Sequence, residues 1–227
     1  IIVLNTVIIP NSKYNDAVAL MDAGNIVEAY EALIALDGYK DSADKANSIY
    51  DKYKVEKLKA VKVGDYVFFG SYEQDNDISN DKEGIEWLVL AKEENKILVI
   101  SKYALDCQQY NTLDINVTWE TCTLREWLNN DFINTAFTDS EKSMISAITV
   151  YSDNNYYSTS TQDKVFLLNT EEVNKYFTSN SEMQCKSTAY AKAQGAYASN
   201  SNGNCWWWLR SPGSVKSRAC RVYIGGS

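Results

Sequence analysis

The 227-residue chain contains no histidine. The commonest general base near neutral pH is therefore absent, and with it Ser-His-Asp and Cys-His nucleophile pairs, His-ligated zinc and HExxH helices. Any chemistry would fall to Asp, Glu, Lys, Tyr or Cys. The five cysteines, Cys107, Cys122, Cys185, Cys205 and Cys220, show no CxxC spacing of the kind that builds a zinc or thioredoxin site. If the turn at Pro212-Gly213 closes a hairpin, Cys205 and Cys220 come nearly opposite one another and are the first candidates for a disulfide. In an exported chain the odd count leaves at least one thiol unpaired. Asp75, Asp77, Ser79, Asp81, Glu83 and Glu86 fall at positions 1, 3, 5, 7, 9 and 12 of a calcium-loop register. Asn80 stands at the sixth position, where the turn wants glycine, Lys82 stands at the eighth, and strands rather than helices flank the run. It reads as a solvated acidic loop, with no metal or other cofactor expected.

The other candidate set lies at the C-terminal end. Leu209, Ala219, Val222 and Ile224 have the spacing to serve a core, which leaves Lys216, Ser217, Arg218, Arg221 and Tyr223 on the exposed face and loop. This basic and aromatic cluster stands out in a chain with 22 Lys+Arg against 30 Asp+Glu and a net charge of −8. The acidic balance argues against nucleic acid as a partner. Sixteen tyrosines and six tryptophans are many amphipathic rings, suited to a binding surface once core packing has taken its share.

Elements must position these groups. Ile1 to Ile9 is an apolar run stopping at Pro10-Asn11-Ser12, far short of the roughly 20 residues that span a bilayer. A chain that starts Ile1-Ile2-Val3-Leu4 reads as a piece of something longer. The run fits either a buried strand or the outer end of a membrane helix. From 11 to 61 the period is helical: Asn11 or Ser12 caps a stripe of Tyr14, Ala17, Val18 and Met21, and Ile26, Ala29, Tyr30, Leu33 and Ile34 form a second. Gly38 terminates that helix. Asp41 or Ser42 then caps a third, with Ala46, Ile49, Tyr50 and Tyr53 inward. Leu20, Gly24, Glu28-Ala29, Leu33 and the continuation Gly38-Tyr39-Lys40-Asp41-Ser42 resemble a degenerate tetratricopeptide repeat of bacterial surface proteins. Fewer than the three or so repeats of a free-standing solenoid are present, so the segment reads as a spacer.

From Gly64 the period becomes strand-like. Tyr66 to Phe69, ended by Gly70, is a short strand, and Glu86–Leu90 with Lys96–Ser101 forms a hairpin apolar enough for mid-core. Thr123-Leu124-Arg125-Glu126 reads as a capping box, Asp139-Ser140-Glu141 opens another helix, and Val165–Leu168 is a strand. Thr170-Glu171-Glu172 caps a helix to Phe177, 180 to 204 reads as loop, and a last strand runs near Ala219 to Ile224. The layout is α+β, with short strands, short helices and long loops.

Gly70-Ser71-Tyr72-Glu73-Gln74, Ile85-Glu86-Trp87-Leu88-Val89-Leu90, Thr118-Trp119-Glu120, Leu124-Arg125-Glu126-Trp127-Leu128-Asn129, Asp163-Lys164-Val165-Phe166-Leu167-Leu168 and Trp207-Trp208-Leu209-Arg210-Ser211-Pro212-Gly213 occur in that order. Together they resemble a family of bacterial surface domains similar to the C-type-lectin-like fold. Formylglycine-generating enzymes and the variable proteins of diversity-generating retroelements use that fold. The resemblance implies a C-type-lectin-like domain over 62–227, a tetratricopeptide-like spacer over 11–61, and over 1–10 a linker or the remnant of a single transmembrane helix, with the domain outside the cell. It also implies that Trp207, Trp208 and Arg210 are structural, and that ligand contacts lie at Trp206, Lys216, Ser217, Arg218, Arg221 and Tyr223. Members usually continue past Gly225-Gly226-Ser227 to a further strand. The expectation is a non-catalytic surface module for a protein or glycan ligand, with no catalytic residue. The alternative is an ectodomain binding a protein partner through its helices, and a formylglycine-generating-like enzyme comes third.

Overall fold

A computed structural model describes residues 2–152, 160–215 and 217–227, with side chains from residue 10 onward. The chain divides into two units, 1–62 with 93–97, and 63–92 with 98–227.

The first unit carries α1 (Ile2–Asp22), α2 (Ile26–Ile34) and α3 (Ser42–Ala60), with α2 packed against both neighbours. Its core is Ala17, Ala29, Leu33, Ala46 and Ile49, where three alanines allow close approach of the helix backbones. Pro10 does not end an element, because α1 runs through it. Its ring already holds a helical φ, so the helix passes with one backbone bond missing. The expected cap at Asn11 or Ser12 falls away, and Asn11 Oδ1 instead accepts from Lys40 Nζ at 2.6 Å. Asp41 makes no side-chain cap either. It accepts from the Tyr14 hydroxyl and pairs with Lys45 at 3.1 Å. Tyr50 and Ile34 are exposed rather than inward, and Tyr30 stacks on Tyr53 at 4.1 Å. No helix among the described residues is long and apolar enough to cross a membrane.

The second unit opens with β1 (Tyr66–Tyr72), β2 (Glu83–Glu93) and β3 (Lys96–Ser101), a sheet in the order β1-β2-β3 whose hairpin tip, 93–97, is counted with the first unit. Leu90 is buried in a core against which Leu88, Leu98 and Ile100 pack, while Tyr66 and Phe68 of β1 face solvent. Gly70 does not end β1. It sits at a bulge between Phe68 and Ser71 with φ +71°, and a Cβ there would lie 2.5 Å from the Phe137 ring and 2.6 Å from the Ala136 carbonyl. Only glycine lets the strand pass so close beneath Phe137.

After β4 (Tyr103–Ala104) come α4 (Thr123–Trp127), a π-helical segment (Leu128–Phe132), α5 (Ile133–Ala136) and α6 (Asp139–Met144). The chain continues through β5 (Ile148–Tyr151), β6 (Ser160–Asp163), α7 (Thr170–Tyr176), β7 (Cys185–Ser187), α8 (Ala189–Ala193), β8 (Asn204–Cys205), β9 (Trp207–Pro212) and β10 (Ala219–Val222). β5 pairs with β6 and β9 with β10, and β4-β7-β8 forms a third small ladder. The architecture is α+β.

Several local expectations shift. Thr123 is not a cap: its Oγ1 accepts from the Thr112 N–H at 3.1 Å, and no side chain caps α4. Reciprocal capping boxes open α6, which starts at Asp139 as expected, from Thr138 with Glu141, and α7 from Asn169 with Glu172, one residue before the expected cap. Residues 165–168 join no ladder, and the 180–204 stretch contains β7, α8 and the first residue of β8.

Successive residues of β9 face opposite ways. Trp208 packs on a core built from Tyr72, Ile85, Tyr110, Trp119, Phe132 and Phe137. Trp207 and Leu209 join a second core of Leu90, Leu168, Val173, Phe177 and Val222. Arg210, only 2% exposed, makes a bidentate pair with Glu172 at 2.5 and 2.6 Å, and donates to the Tyr151 carbonyl at 2.6 Å and to the Leu167 carbonyl. Its backbone N–H donates to Leu168 O at 3.0 Å, so the non-ladder segment 165–168 finds its partners here. Asp163, fully buried, accepts from Trp119 Nε1 at 2.8 Å, Arg125 Nε at 2.7 Å and the Thr161 hydroxyl.

Gly70→Ala should lower stability by about 2 kcal/mol or more, through steric overlap and a positive φ together, read as a fall in the thermal midpoint. Glu172→Ala removes both a cap and the partner of a buried guanidinium. It should cost about 3 kcal/mol in urea unfolding, and an unchanged midpoint would contradict the clamp.

Candidate functional site

One end of the β9–β10 ribbon gathers rings outside both cores. Trp206 sits between β8 and β9, Arg221 lies on β10 opposite Trp208, and Tyr223 follows β10 directly. Asn204, buried in β8, fixes this end: its amide donates to Ile224 O and to Gln184 Oε1, both at 3.0 Å. The turn after Tyr223 closes through Gly226 N–H to Tyr223 O at 2.8 Å. At Gly226 a Cβ would meet Asn180 O at 1.7 Å, so this turn also requires glycine.

The Arg221 guanidinium carbon stands 4.1 Å from the Trp206 ring centroid and 4.8 Å from that of Tyr223. Trp206 stacks on Tyr197 at 5.0 Å and meets Tyr223 edge-on at 6.1 Å. All three rings are substantially exposed, at 41%, 53% and 47% for Trp206, Tyr197 and Tyr223. No carboxylate among the described residues pairs with Arg221, so its in-plane N–H donors are available while its flat face is held by the rings. Such a surface can stack on an apolar face and hydrogen-bond hydroxyls or an anionic group. The stretch 196–203, which carries Tyr197, also lines an open cleft of about 690 Å3 with Lys186 and Lys192 and the polar side chains of Ser199, Asn200 and Asn202.

Of the expected contact residues, Trp206, Arg221 and Tyr223 come together. Ser217 and Arg218 lie in the turn at the opposite end of the ribbon, roughly 15 Å away along β9. There Arg218 O accepts from Gly213 N–H at 2.7 Å. Lys216 lies outside the described residues. Tyr197 was missed by the sequence reading; its signal was an aromatic within a Ser/Asn/Ala-rich loop. Trp207 and Trp208 are indeed tied inward, donating to Met183 O at 3.0 Å and Gln108 O at 3.1 Å.

Cys205 and Cys220 are not joined, and all five cysteines are free. Cys205 is opposite Cys185 on the β7–β8 ladder instead, and Cys220 points its thiol at Pro212 O, 3.2 Å away. The hairpin runs from 207 to 222, so Cys205 lies beyond its ladder. Contact with the Cys205 thiol, then burial, holds the Cys185 thiol well above its ordinary range. The twelve-position calcium register is not realised as one site either: Glu86 pairs with Lys102 at 2.7 Å on the sheet.

The second unit is thus an α+β domain whose motif residues bond to one another and leave an aromatic-arginine surface at a ribbon end. Residues 94–227 match the model of a domain of unknown function, DUF6273, and the chain belongs to that family. No curated protein and no solved structure matches it.

Cross-strand neighbours lie within disulfide reach. Mild oxidation followed by peptide mass mapping should yield a Cys185–Cys205 crosslink. The same digest should contain no Cys205–Cys220 species.

Proposed function

We propose that the chain is a non-catalytic binding module displayed at a bacterial cell surface, taking a protein or glycan ligand on Trp206, Tyr197, Tyr223 and Arg221. The observation that carries this reading is the exposure of Trp206 with Tyr197 and Tyr223 packed against it, beside an arginine with no carboxylate partner among the described residues. Large rings lose little conformational entropy on binding, and together with arginine they dominate binding energies elsewhere. The C-type-lectin-like architecture belongs to the same proposal, supported by small ladders joined by long connections and by the tryptophan motif on its hairpin. Display outside the membrane rests on the resemblance of the motifs to surface domains and on the apolar start of α1.

Two features support binding over catalysis. The chain lacks histidine, and burial pushes the Cys107 and Cys122 thiols up, away from the thiolate that oxidative cysteine chemistry needs. One observation favours a partner on the helical unit instead: Tyr50 is exposed and leans on Tyr30, with Lys54 Nζ 4.5 Å from its ring centroid.

The two readings separate by mutation of the full chain on a glycan array and in cell-surface pull-down. Trp206→Ala and Arg221→Ala should each weaken capture about 30-fold, the range of a binding hot spot, while Arg218→Ala and Tyr50→Ala leave it within about twofold. Loss with Tyr50→Ala and retention with Trp206→Ala would transfer the function to the helices.

A further inference from the structure

The turn between β1 and β2 holds an arrangement that neither the folding clamps nor the aromatic surface uses. Glu73 follows β1 directly, Glu83 opens β2, and Asp75 lies in the loop between them. One carboxylate oxygen from each falls within 4.8 Å of the other two. Glu73 is only 8% exposed, and its Oε1 is buried with no hydrogen-bond partner. None of the three takes part in an ion pair among the described residues.

Three carboxylates this close repel one another, and a buried, unpartnered carboxylate oxygen is costly to keep in a fold. Two of them are nevertheless oriented by their surroundings. Glu83 Oε2 accepts from the Gln74 and Asp75 N–H groups at 2.7 and 3.3 Å. Asp75 accepts from Asn80 Nδ2 at 2.9 Å and from the Asp77 N–H at 2.7 Å, which lower its carboxyl below the ordinary range. Outer hydrogen bonds of this kind aim metal ligands.

We propose that Glu73, Asp75 and Glu83 bind a calcium ion that ties the end of β1 to the start of β2. All three donors are hard oxygens. Ligand oxygens on calcium lie about 2.4 Å from the ion and so at most about 4.8 Å from each other, and the three oxygens here fall inside that limit. The ligand set differs from the twelve-position loop register: it takes Asp75 and Glu83 from that run, adds Glu73 from the sheet edge and leaves out Asp77, Asp81 and Glu86. The ion supplies the missing partner of Glu73 and cancels the repulsion. Its affinity should fall in the weak range of extracellular calcium modules, with a Kd of about 0.1–1 mM.

Calorimetric titration of calcium chloride into chelator-treated full-length protein should show one site. At 10 mM calcium the thermal midpoint should rise by about 3 °C. Glu73→Gln keeps the shape and removes the charge, so without calcium it should melt no lower than wild type, yet it should lose the calcium shift. Glu83→Gln should also lose it. Asp81→Asn, outside the triad, should keep it. Absence of heat and of any midpoint change in the wild type would overturn the proposal, leaving a proton shared between Glu73 and Asp75 to relieve the crowding. A calcium shift that survives both Glu73→Gln and Glu83→Gln would overturn it equally, placing the ion elsewhere.

Discussion

A guanidinium buried to 2% exposure cannot be left without partners, and the second unit is arranged around satisfying Arg210. Glu172 meets it with both oxygens while also capping α7, so the helix start and the strand are fixed by one carboxylate. The carbonyls of Tyr151 and Leu167 complete the set, which draws β5 and the non-ladder segment before α7 onto β9. The Ser211 hydroxyl takes the Thr170 N–H at 3.0 Å from the next position along. Small ladders of two to four residues have little stability of their own, and this clamp does for them what a larger sheet would otherwise do.

Asp163 plays the matching part nearer the first core. Its carboxylate binds Trp119 and Arg125, which come from two separate stretches of sequence. The motif words are therefore partners of one another: Thr118-Trp119-Glu120 and Leu124-Arg125-Glu126 meet Asp163, and Leu209-Arg210-Ser211 meets Leu167, Leu168 and Glu172. That accounts for their silence about a ligand. The surface that can contact one is built from residues beside the motif.

The sequence carried the elements whose patterns are strong over many residues. The three helices of the first unit and the β2–β3 hairpin follow from apolar spacing, and the α+β class from the mix of periods. What it hid was set by long-range contact. Gly70 reads as a strand end because glycine usually punctuates, whereas here it serves the close approach of Phe137. Val165–Leu168 has strand composition but gives its carbonyls to the Asn129 and Arg210 side chains and to the Arg210 backbone N–H. The 180–204 stretch is polar enough to look irregular, yet contains a short strand and a helix and ends on the first residue of another strand. At the candidate site the grouping of Trp206, Arg221 and Tyr223 was legible from their neighbourhood in sequence. The distance to Ser217 and Arg218 was not, because it depends on where β9 ends and β10 begins, at Pro212 and Ala219, which the sequence around the turn does not mark.

The alternation along β9 sets where the chain can change in length. Trp207 and Leu209 serve one core, Trp208 packs on the other, and Arg210 reaches the polar clamp. A residue inserted or deleted between Trp207 and Arg210, unless a bulge absorbed it, would exchange these sides, driving the guanidinium into an apolar cluster and a tryptophan onto the carbonyls. A change of length that leaves the alternation intact therefore falls outside this run, and the turn after Pro212 is the nearest place for it.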